Sequence, residues 1–138
     1  MDKQQLLPAA VMVLDLDGLK QINDSLGHQA GDLLLKTAAA IIRDAAPAES
    51  TVSRIGGDEF AILLTDADLS VVETIRQRIA ARVLHYNADH PALPVGISAG
   101  IAVATSKPLS MRELFKQADA NMYQDKKSRK QNAGKEAP

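Results

Sequence analysis

The stretch SRIGGDEFAIL, from Ser53 to Leu63, places two glycines and two adjacent acids in front of an apolar run. The β-like runs TVSRI and EFAILL on either side of the glycines predict a tight hairpin, because both glycines of the turn can adopt positive φ. The hairpin would carry Asp58 and Glu59 at the end of a buried strand, where a plain turn needs no charge. We therefore expect a functional site at this end of the strand.

Composition indicates one domain and narrows its partners. The 138 residues are 46% hydrophobic and 24% charged, with a formal net charge of -1, which predicts a single domain over residues 1–138 with its core at about 9–130. Residues 1–8 and 131–138 are expected to be flexible. The near-zero charge argues against nucleic-acid binding, which needs a basic face. The absence of cysteine excludes disulfides and thiolate ligands, so a metal would be bound by oxygen atoms.

The sequence shows no membrane segment. No apolar stretch approaches the roughly 20 residues that cross a bilayer, and the start MDKQQLLPAA lacks the basic-then-apolar layout of a signal peptide. We therefore expect a cytoplasmic domain, whose longer parent protein could still be anchored in a membrane.

Strand and helix patterns alternate along the chain, and DGLKQINDSLGHQAGD after the first strand is interpreted as a polar, glycine-punctuated loop. The predicted elements are a strand over 9–16, a helix over 33–45, strands over 51–55 and 59–64, a helix over 68–84, a strand over 95–105 and a helix over 109–127. This βαββαβα order predicts an α/β (α+β) fold with a mixed, mostly antiparallel central sheet flanked by helices, as in a ferredoxin-like or polymerase-palm βαββαβ core.

Two predicted helices have a recognisable apolar face. The helix over 68–84 would begin at a cap formed by Asp68 or Ser70. The inward-facing residues would be Val71, Val72, Ile75, Ile79 and Val83 in this helix, and Leu114, Ala118 and Met122 in the last helix.

Two pairs of acids could share a metal ion. Asp15 and Asp17 leave the first strand on the same face because strand side chains alternate. If the hairpin lies beside that strand, Asp58 and Glu59 meet them at one end of the sheet. Mg²⁺ prefers such oxygen ligands together with substrate phosphates. The alternative is that Asp15 caps the next turn and the other two acids decorate a hairpin tip.

Three motifs in this order resemble the GGDEF domain of diguanylate cyclases. The signature is Gly56-Gly57-Asp58-Glu59-Phe60, preceded by Arg54. The upstream family pattern D-x-D-x-F-K-x-x-N-D-x-x-G-H-x-x-G-D is matched by Asp15, Asp17, Lys20, Asn23, Asp24, Gly27, His28, Gly31 and Asp32, with Leu19 in place of phenylalanine. Downstream, VGISAGIA is similar to the S-x-G-I-A strand and ADANMYQDKK to the A-D-x-A-x-Y-x-A-K helix.

The resemblance implies an enzyme that joins two GTP molecules into cyclic di-GMP and releases two pyrophosphates. One GTP would bind to each subunit of a homodimer. The family pattern assigns Mg²⁺, or Mn²⁺, to Asp15, the backbone carbonyl of Leu16, Asp58 and Glu59, and it makes Asp58 and Glu59 the catalytic residues. Whether Asp17 is a further ligand is left open.

The resemblance also implies the residues that bind GTP. Gly56 and Gly57 would let the backbone approach the nucleotide, and Asn23 and Asp32 would read guanine. The phosphates would be held by Lys20, Lys126 and Lys130, with Arg129 as an alternative to Lys130, which stands where the family often has arginine. Without the motif, the lysines would be ordinary solvated side chains and Asp32 a helix N-cap.

Some family features are expected to be missing. The family's D-x-L-T-x-L-x-N-R-R segment and following helix would precede the first strand, where only MDKQQLLPA stands. No product-inhibition site is predicted, because Pro47 and Ser50 occupy the two positions of the R-x-x-D motif. A regulatory sensor domain in a longer parent protein is the expected partner. The alternative function is a weak or inactive GGDEF domain that binds GTP as a sensor or interaction module.

Overall fold

A four-stranded antiparallel sheet forms the centre of the molecule, with the strand order β2-β3-β1-β4. The computed structural model describes residues 7–106 and 110–136, with side chains as far as Lys130. Its elements are β1 (Ala9–Leu16), α1 (Leu19–Leu26), α2 (His28–Ala45), β2 (Thr51–Arg54), β3 (Glu59–Thr65), α3 (Leu69–Asp89), β4 (Ile97–Ala104) and α4 (Met111–Glu136). The predicted fold class of a largely antiparallel sheet flanked by helices is confirmed.

The stretch interpreted as a polar loop is wrong in one respect, because it contains helix α1. Gly18 and Gly27 flank this helix with φ of 71° and 93°, a left-handed backbone that glycine adopts without strain. The two glycines let the chain enter α1 directly from β1 and then turn into α2. Helix α2 consequently begins at His28, five residues before the predicted start at Leu33.

The two faces of the sheet carry separate apolar clusters. Residues such as Met12 and Leu14 of β1 point toward α2 and α3, where Phe60 of β3 joins them. The alternate residues Val11 and Val13 point toward α4. The predicted inner residues of α4, namely Leu114, Ala118 and Met122, are all buried. Full burial of each large side chain contributes roughly 1.5–3 kcal/mol, so both layers hold the sheet in place.

Helix α3 departs from the prediction in two respects, its length and one inner residue. It continues to Asp89, five residues beyond the predicted end at Leu84. Its cap is Asp68, whose carboxylate accepts a hydrogen bond from the backbone N–H of Val71 at 3.1 Å. Val72, Ile75 and Ile79 are buried, but Val71 is exposed, so its predicted place on the inner face is wrong. In the first turn of the helix, Val71 lies beside the capping residue on the solvent side.

The ends of the chain lie partly outside the described residues. Helix α4 extends to Glu136, beyond the predicted end at Lys127, so the segment 131–136 continues a helix. The predicted flexible residues 1–6, 137 and 138 fall outside the described part. No helix within 7–106 and 110–136 is both long enough and apolar enough to cross a membrane.

Candidate functional site

The acids of β1 and β3 meet on the face of the sheet that α4 covers. Asp15 and Glu59 are directly opposite each other in the β1–β3 pairing, and side chains at such positions are about 5 Å apart at Cβ. The backbone N–H of Leu16 donates to the carbonyl oxygen of Asp58 at 3.0 Å, which brings this third acid to the same place. We call Asp15, Asp58 and Glu59 the acid cluster.

Asp15 is the most buried member of the acid cluster, with 8% of its surface exposed. Lys126 of α4 donates from Nζ to Oδ2 of Asp15 at 2.7 Å. The other oxygen, Oδ1, is buried and has no hydrogen-bond partner among the described residues. Burial raises the pKa of Asp15 above its ordinary value, although Lys126 opposes that shift. The carboxylate therefore lacks part of the positive charge that would stabilise its ionised form.

Glu59 also lacks part of the positive charge that would stabilise its ionised form. Burial is the largest cause that raises its pKa, and the negative charges of Asp15, Asp119 and Asp58 add to it. Asp119 lies on α4, so the helix contributes both a positive and a negative group to this end of the sheet. A cation placed among these carboxylates would relieve the repulsion.

Lys126 lies against the acid cluster and also lines the groove beside it. Burial by itself would lower its pKa, but the hydrogen bond and the charge of Asp15 outweigh burial and raise the pKa above its ordinary value. Its ammonium group therefore stays charged, and in this structure it partly neutralises Asp15.

Asp17 is engaged differently from the acid cluster. Its Oδ1 accepts a hydrogen bond from the Ser98 hydroxyl at 2.6 Å, and its Oδ2 accepts one from Nε of Arg129 at 3.0 Å. Both carboxylate oxygens thus have protein partners. Asp17 holds Arg129 at the groove and is less suited than Asp15 to accept a metal ion.

The residue types of the acid cluster suit a hard divalent cation. Within the described side chains, no three His, Cys, Asp or Glu residues are already gathered as a ready-made metal site. The buried and unpartnered Oδ1 of Asp15, next to two further carboxylates, is nevertheless the arrangement that a cation completes. Asp15, Asp58, Glu59 and the backbone carbonyl of Leu16 are the groups that could hold it.

The hairpin turn differs from the predicted one. Residues 55–58 form the connection, and neither Gly56 nor Gly57 has positive φ, so the predicted positive-φ turn is wrong. The turn is held instead by Arg54, whose guanidinium donates to the carbonyl oxygens of Gly56 at 3.2 Å and Gly57 at 2.7 Å. A side chain added at Gly57 would meet no atom of the described residues within 4 Å, so the backbone at this position is open to a ligand.

The larger of two grooves at this site has a volume of about 550 Å³ and follows the start of α1 and the adjoining part of α4. Four basic side chains line it, against the two acids Asp17 and Asp58: Lys20, Lys126, Arg129 and Lys130. The predicted phosphate-binding lysines are therefore brought together, and Arg129 lies with them. The excess of positive charge suits a polyanion.

The smaller groove, of about 310 Å³, opens on the other side of Asp58. Asp32 lines it together with Leu19, Leu35, Lys36, Arg54 and Gly57. Asn23 is not among the lining residues, but its side chain packs directly against Gly31, next to Asp32. The alternative role of Asp32 as a helix N-cap is wrong, because α2 already begins at His28. Asp58 lines both grooves, so one elongated ligand could occupy them together.

The positions of the absent product-inhibition motif form a local turn. The hydroxyl of Ser50 donates to the carbonyl oxygen of Pro47 at 2.6 Å, and the backbone N–H of Ser50 donates to the same oxygen at 3.1 Å. Neither side chain carries a charge. This turn therefore offers no arginine–aspartate pair for an anionic ligand.

Sequence reasoning gave no structural role to Arg54, Ser98 or Asp119. Arg54 was visible as a neighbour of the signature, but its bonds to the glycine carbonyls depend on the shape of the turn. Ser98 and Asp119 reach the site through strand pairing and helix packing. These contacts join residues far apart in sequence, and no local pattern indicates them.

Comparison with known proteins identifies the family of this chain. The family model described as "Diguanylate cyclase, GGDEF domain" matches residues 1–132. A probable diguanylate cyclase, DgcT of Escherichia coli, is 35% identical over 128 residues, which are 90% of this chain and 28% of that protein. The bifunctional diguanylate cyclase/cyclic di-GMP phosphodiesterase MucR of Pseudomonas aeruginosa is 36% identical over 85% of this chain and 17% of its own length. The chain thus spans less than a third of these relatives.

Solved structures share the fold. The GGDEF domain of PA1120 from Pseudomonas aeruginosa superimposes with a TM-score of 0.78 at 32% identity, covering 91% of this chain and 80% of that one. The GGDEF domain of DgcB from Caulobacter crescentus, solved in complex with c-di-GMP, gives 0.74 at 29% identity, covering 87% and 72%. With the signature at residues 56–60 and a family match over nearly its whole length, this chain belongs to the GGDEF domain family of diguanylate cyclases.

Proposed function

We propose that this chain is a diguanylate cyclase domain, which condenses two GTP molecules into cyclic di-GMP and releases two pyrophosphates. The observation that carries the proposal is that Asp58, a member of the acid cluster, lines both the basic groove and the groove that contains Asp32. A nucleoside triphosphate has the matching layout, with a polyanion at one end and a base at the other.

The basic groove would hold the triphosphate. Lys20, Lys126 and Lys130 offer point charges on flexible stems, and Arg129 is already oriented by Asp17. In the complex, the triphosphate would replace Asp15 as the nearest negative partner of Lys126. The open backbone at Gly57 leaves room for the nucleotide next to the acid cluster, while Gly56 lies in contact with Glu59.

Asp15, Asp58, Glu59 and the carbonyl of Leu16 would hold Mg²⁺, or Mn²⁺. When bound, the cation supplies charge neutralisation on the phosphate oxygens and on the departing pyrophosphate. Asp58 would accept the proton of the attacking 3′-hydroxyl. The hydroxyl oxygen forms a bond to the α-phosphorus of the second GTP, and the bond from that phosphorus to the pyrophosphate oxygen breaks.

Guanine selectivity would rest on Asp32. Its carboxylate can accept hydrogen bonds from N1–H and N2–H₂ of guanine together, whereas adenine does not offer that pair of donors. A polar group that the wrong substrate leaves without a partner discriminates strongly. Asn23, packed against Gly31 next to Asp32, would complete the base site.

The reaction requires two copies of the domain, because each 3′-hydroxyl attacks the other nucleotide. The rate should therefore rise faster than linearly with protein concentration. The curated relatives are several times longer than this chain. We accordingly place the control of dimer formation in a further domain of a longer parent protein.

The test is incubation of the protein with GTP and Mg²⁺ over a range of protein concentrations, followed by separation of the nucleotides. We expect cyclic di-GMP to form, and Glu59→Gln to lower its rate by at least about 100-fold. Glu49→Gln, which alters an exposed acid away from the site, is the matched control. Absence of product at every concentration, with the protein folded, would refute the proposal.

A second candidate is a domain that binds GTP without turning it over. The ion pair between Lys126 and Asp15 favours it, because that pair occupies both a phosphate-binding group and a metal ligand. Calorimetry distinguishes the two candidates. GTP binding that is abolished in Asp32→Ala, without any turnover, would favour the binding module.

A further inference from the structure

Strand β4 lies at the edge of the sheet, and its outer backbone groups need partners. Helix α4 provides two of them. Oδ2 of Asp125 accepts a hydrogen bond from the backbone N–H of Ala99 at 2.9 Å. Nδ2 of Asn121 donates to the carbonyl oxygen of Ile101 at 2.8 Å. Two backbone groups of the edge strand are thus bonded by side chains of a helix.

The spacing of the two bonds is matched on both elements. Asn121 and Asp125 are four residues apart on one face of a helix, a rise of about 6 Å. Ile101 and Ala99 are two residues apart in a strand, a distance of about 6.6 Å. Because both bonds form together, sliding the helix by one turn along the strand would break both. We call these two bonds the edge clamp.

Gly100 makes the edge clamp possible. A side chain at this position would collide with the backbone of α4 at Ala118 and Met122. Its absence lets the helix lie directly on the strand, so the short side chains of Asn121 and Asp125 reach β4.

The family pattern quoted above, A-D-x-A-x-Y-x-A-K, has alanine where this chain has Asn121 and Asp125. Alanine can form neither bond. The edge clamp is therefore a feature of this sequence rather than of the motif.

The edge clamp lies next to the basic groups of the site. Lys126 follows Asp125 directly and pairs with Asp15, and Arg129 lies one turn further along and pairs with Asp17. The position of α4 along β4 therefore decides where both cationic side chains lie.

We propose that Asn121 and Asp125 are positioning residues, which fix the register of α4 on β4 and thereby hold Lys126 and Arg129 at the acid cluster. The part of this inference that concerns nucleotide binding rests on the proposed function. The structural part is independent of it.

The first experiment measures hydrogen exchange of the Ala99 amide by NMR in Asp125→Ala. We expect exchange to become about tenfold faster, because a hydrogen bond to a charged acceptor is lost. Gln124→Ala, at an exposed position on the same helix, should leave it unchanged. Equal exchange in the two variants would overturn the edge clamp.

A reciprocal pair of substitutions separates the clamp from a general effect on the helix. Asp125→Asn keeps an oxygen that accepts from Ala99, so thermal stability should remain near that of the unaltered protein. Asn121→Asp replaces the donor to Ile101 with a second acceptor, and we expect the melting temperature to fall by about 3 °C. Equal effects of the two substitutions would contradict the proposal.

The link to the site has one readout without nucleotide and one with it. Lys126→Met should lower the melting temperature more when it is introduced into the unaltered protein than when it is introduced into Asp125→Ala. In Asp125→Ala the pair between Lys126 and Asp15 is already displaced, so its removal costs less. With GTP and Mg²⁺, Asp125→Ala should weaken nucleotide binding about fivefold and change turnover at saturation less. Additive effects of Lys126→Met and Asp125→Ala on stability would refute the positioning role. Failure of the unaltered protein to bind GTP would refute the proposed function alone.

Discussion

Glu59 and Phe60 are neighbours on β3, yet they belong to opposite kinds of surroundings. Phe60 is 1% exposed and packs between the sheet and helices α2 and α3. Glu59 points to the other face, where burial and three carboxylates raise its pKa. Phe60 is buried among apolar side chains, whereas the acid cluster contains a buried oxygen that has no partner in the described part of the chain. The difference teaches that residues on one face of a strand stabilise the fold, whereas residues on the other face destabilise it until a ligand binds.

The largest expected effect on stability is at Phe60, in the apolar core. Phe60→Ala removes a buried ring and should lower the free energy of unfolding by about 3–5 kcal/mol. Urea unfolding monitored by circular dichroism measures the change. The control is Leu84→Ala, since Leu84 is 74% exposed and should cost less than about 0.5 kcal/mol. A similar loss of unfolding free energy at both positions would mean that Phe60 does not belong to the core.

An intermediate effect is expected at Lys126, whose ammonium group partly neutralises Asp15. Lys126→Met removes the ammonium group from Asp15 and leaves a buried carboxylate without its partner, so the free energy of unfolding should fall by about 1–2 kcal/mol. Adding Asp15→Asn should recover part of the loss. Lys127→Met, on the exposed side of the helix, serves as the control in the same urea titration. An unchanged stability in Lys126→Met would argue against the ion pair.

A smaller effect of opposite sign is expected at Glu59. Without Mg²⁺, Glu59→Gln should raise the free energy of unfolding near pH 7 by about 0.5 kcal/mol, a gain kept small because solvent screens a partly exposed charge. Thermal unfolding measures it, and the gain should shrink when Mg²⁺ is added to the unaltered protein. Destabilisation by this substitution would show that Glu59 is not repelled by its neighbours.

The smallest effect is the pH dependence of that gain. The pKa of Glu59 is raised in the folded protein, so its contribution to stability is fully present below the ordinary glutamate pKa and is lost as pH rises through the folded value. The advantage of Glu59→Gln should therefore be near zero at about pH 4 and reach its plateau by about pH 7. Parallel urea titrations of the two proteins test this. An advantage that grows toward acid pH would reverse the sign and refute the assignment.

Much of the sheet could be predicted because its strands are short apolar runs with clear ends. The bounds of β1 are those of the stretch AAVMVLDL. Strand alternation also predicted that Asp15 and Asp17 share a face, and both acids contact α4. Helix α1 was missed because its sequence is polar and bounded by glycines, and none of its residues is buried. Leu19 and Ile22 do have helical spacing and pack against the core, but eight residues between two glycines are too short a run to indicate a helix by themselves.

The juxtaposition of Asp15 with Glu59 follows from a hairpin laid beside the first strand, and the structure has this arrangement. Local sequence rules could not predict the shape of the turn. Arg54 stabilises a four-residue connection by donating hydrogen bonds to the glycine carbonyls. The pairing of Lys126 with Asp15 joins residues 111 positions apart. Such a contact depends on where α4 lies on the sheet, which no single segment specifies.

The edge position of β2 has a consequence for motion at the signature turn. Strand β2 pairs with β3 over the four residues Thr51–Arg54, and these residues are exposed or half-buried. Short, solvent-accessible edge segments open locally long before the whole domain unfolds. Each such opening would withdraw Arg54 from the glycine carbonyls and free the turn. The loop that carries the family signature thus takes its rigidity from one of the most lightly attached strands of the fold.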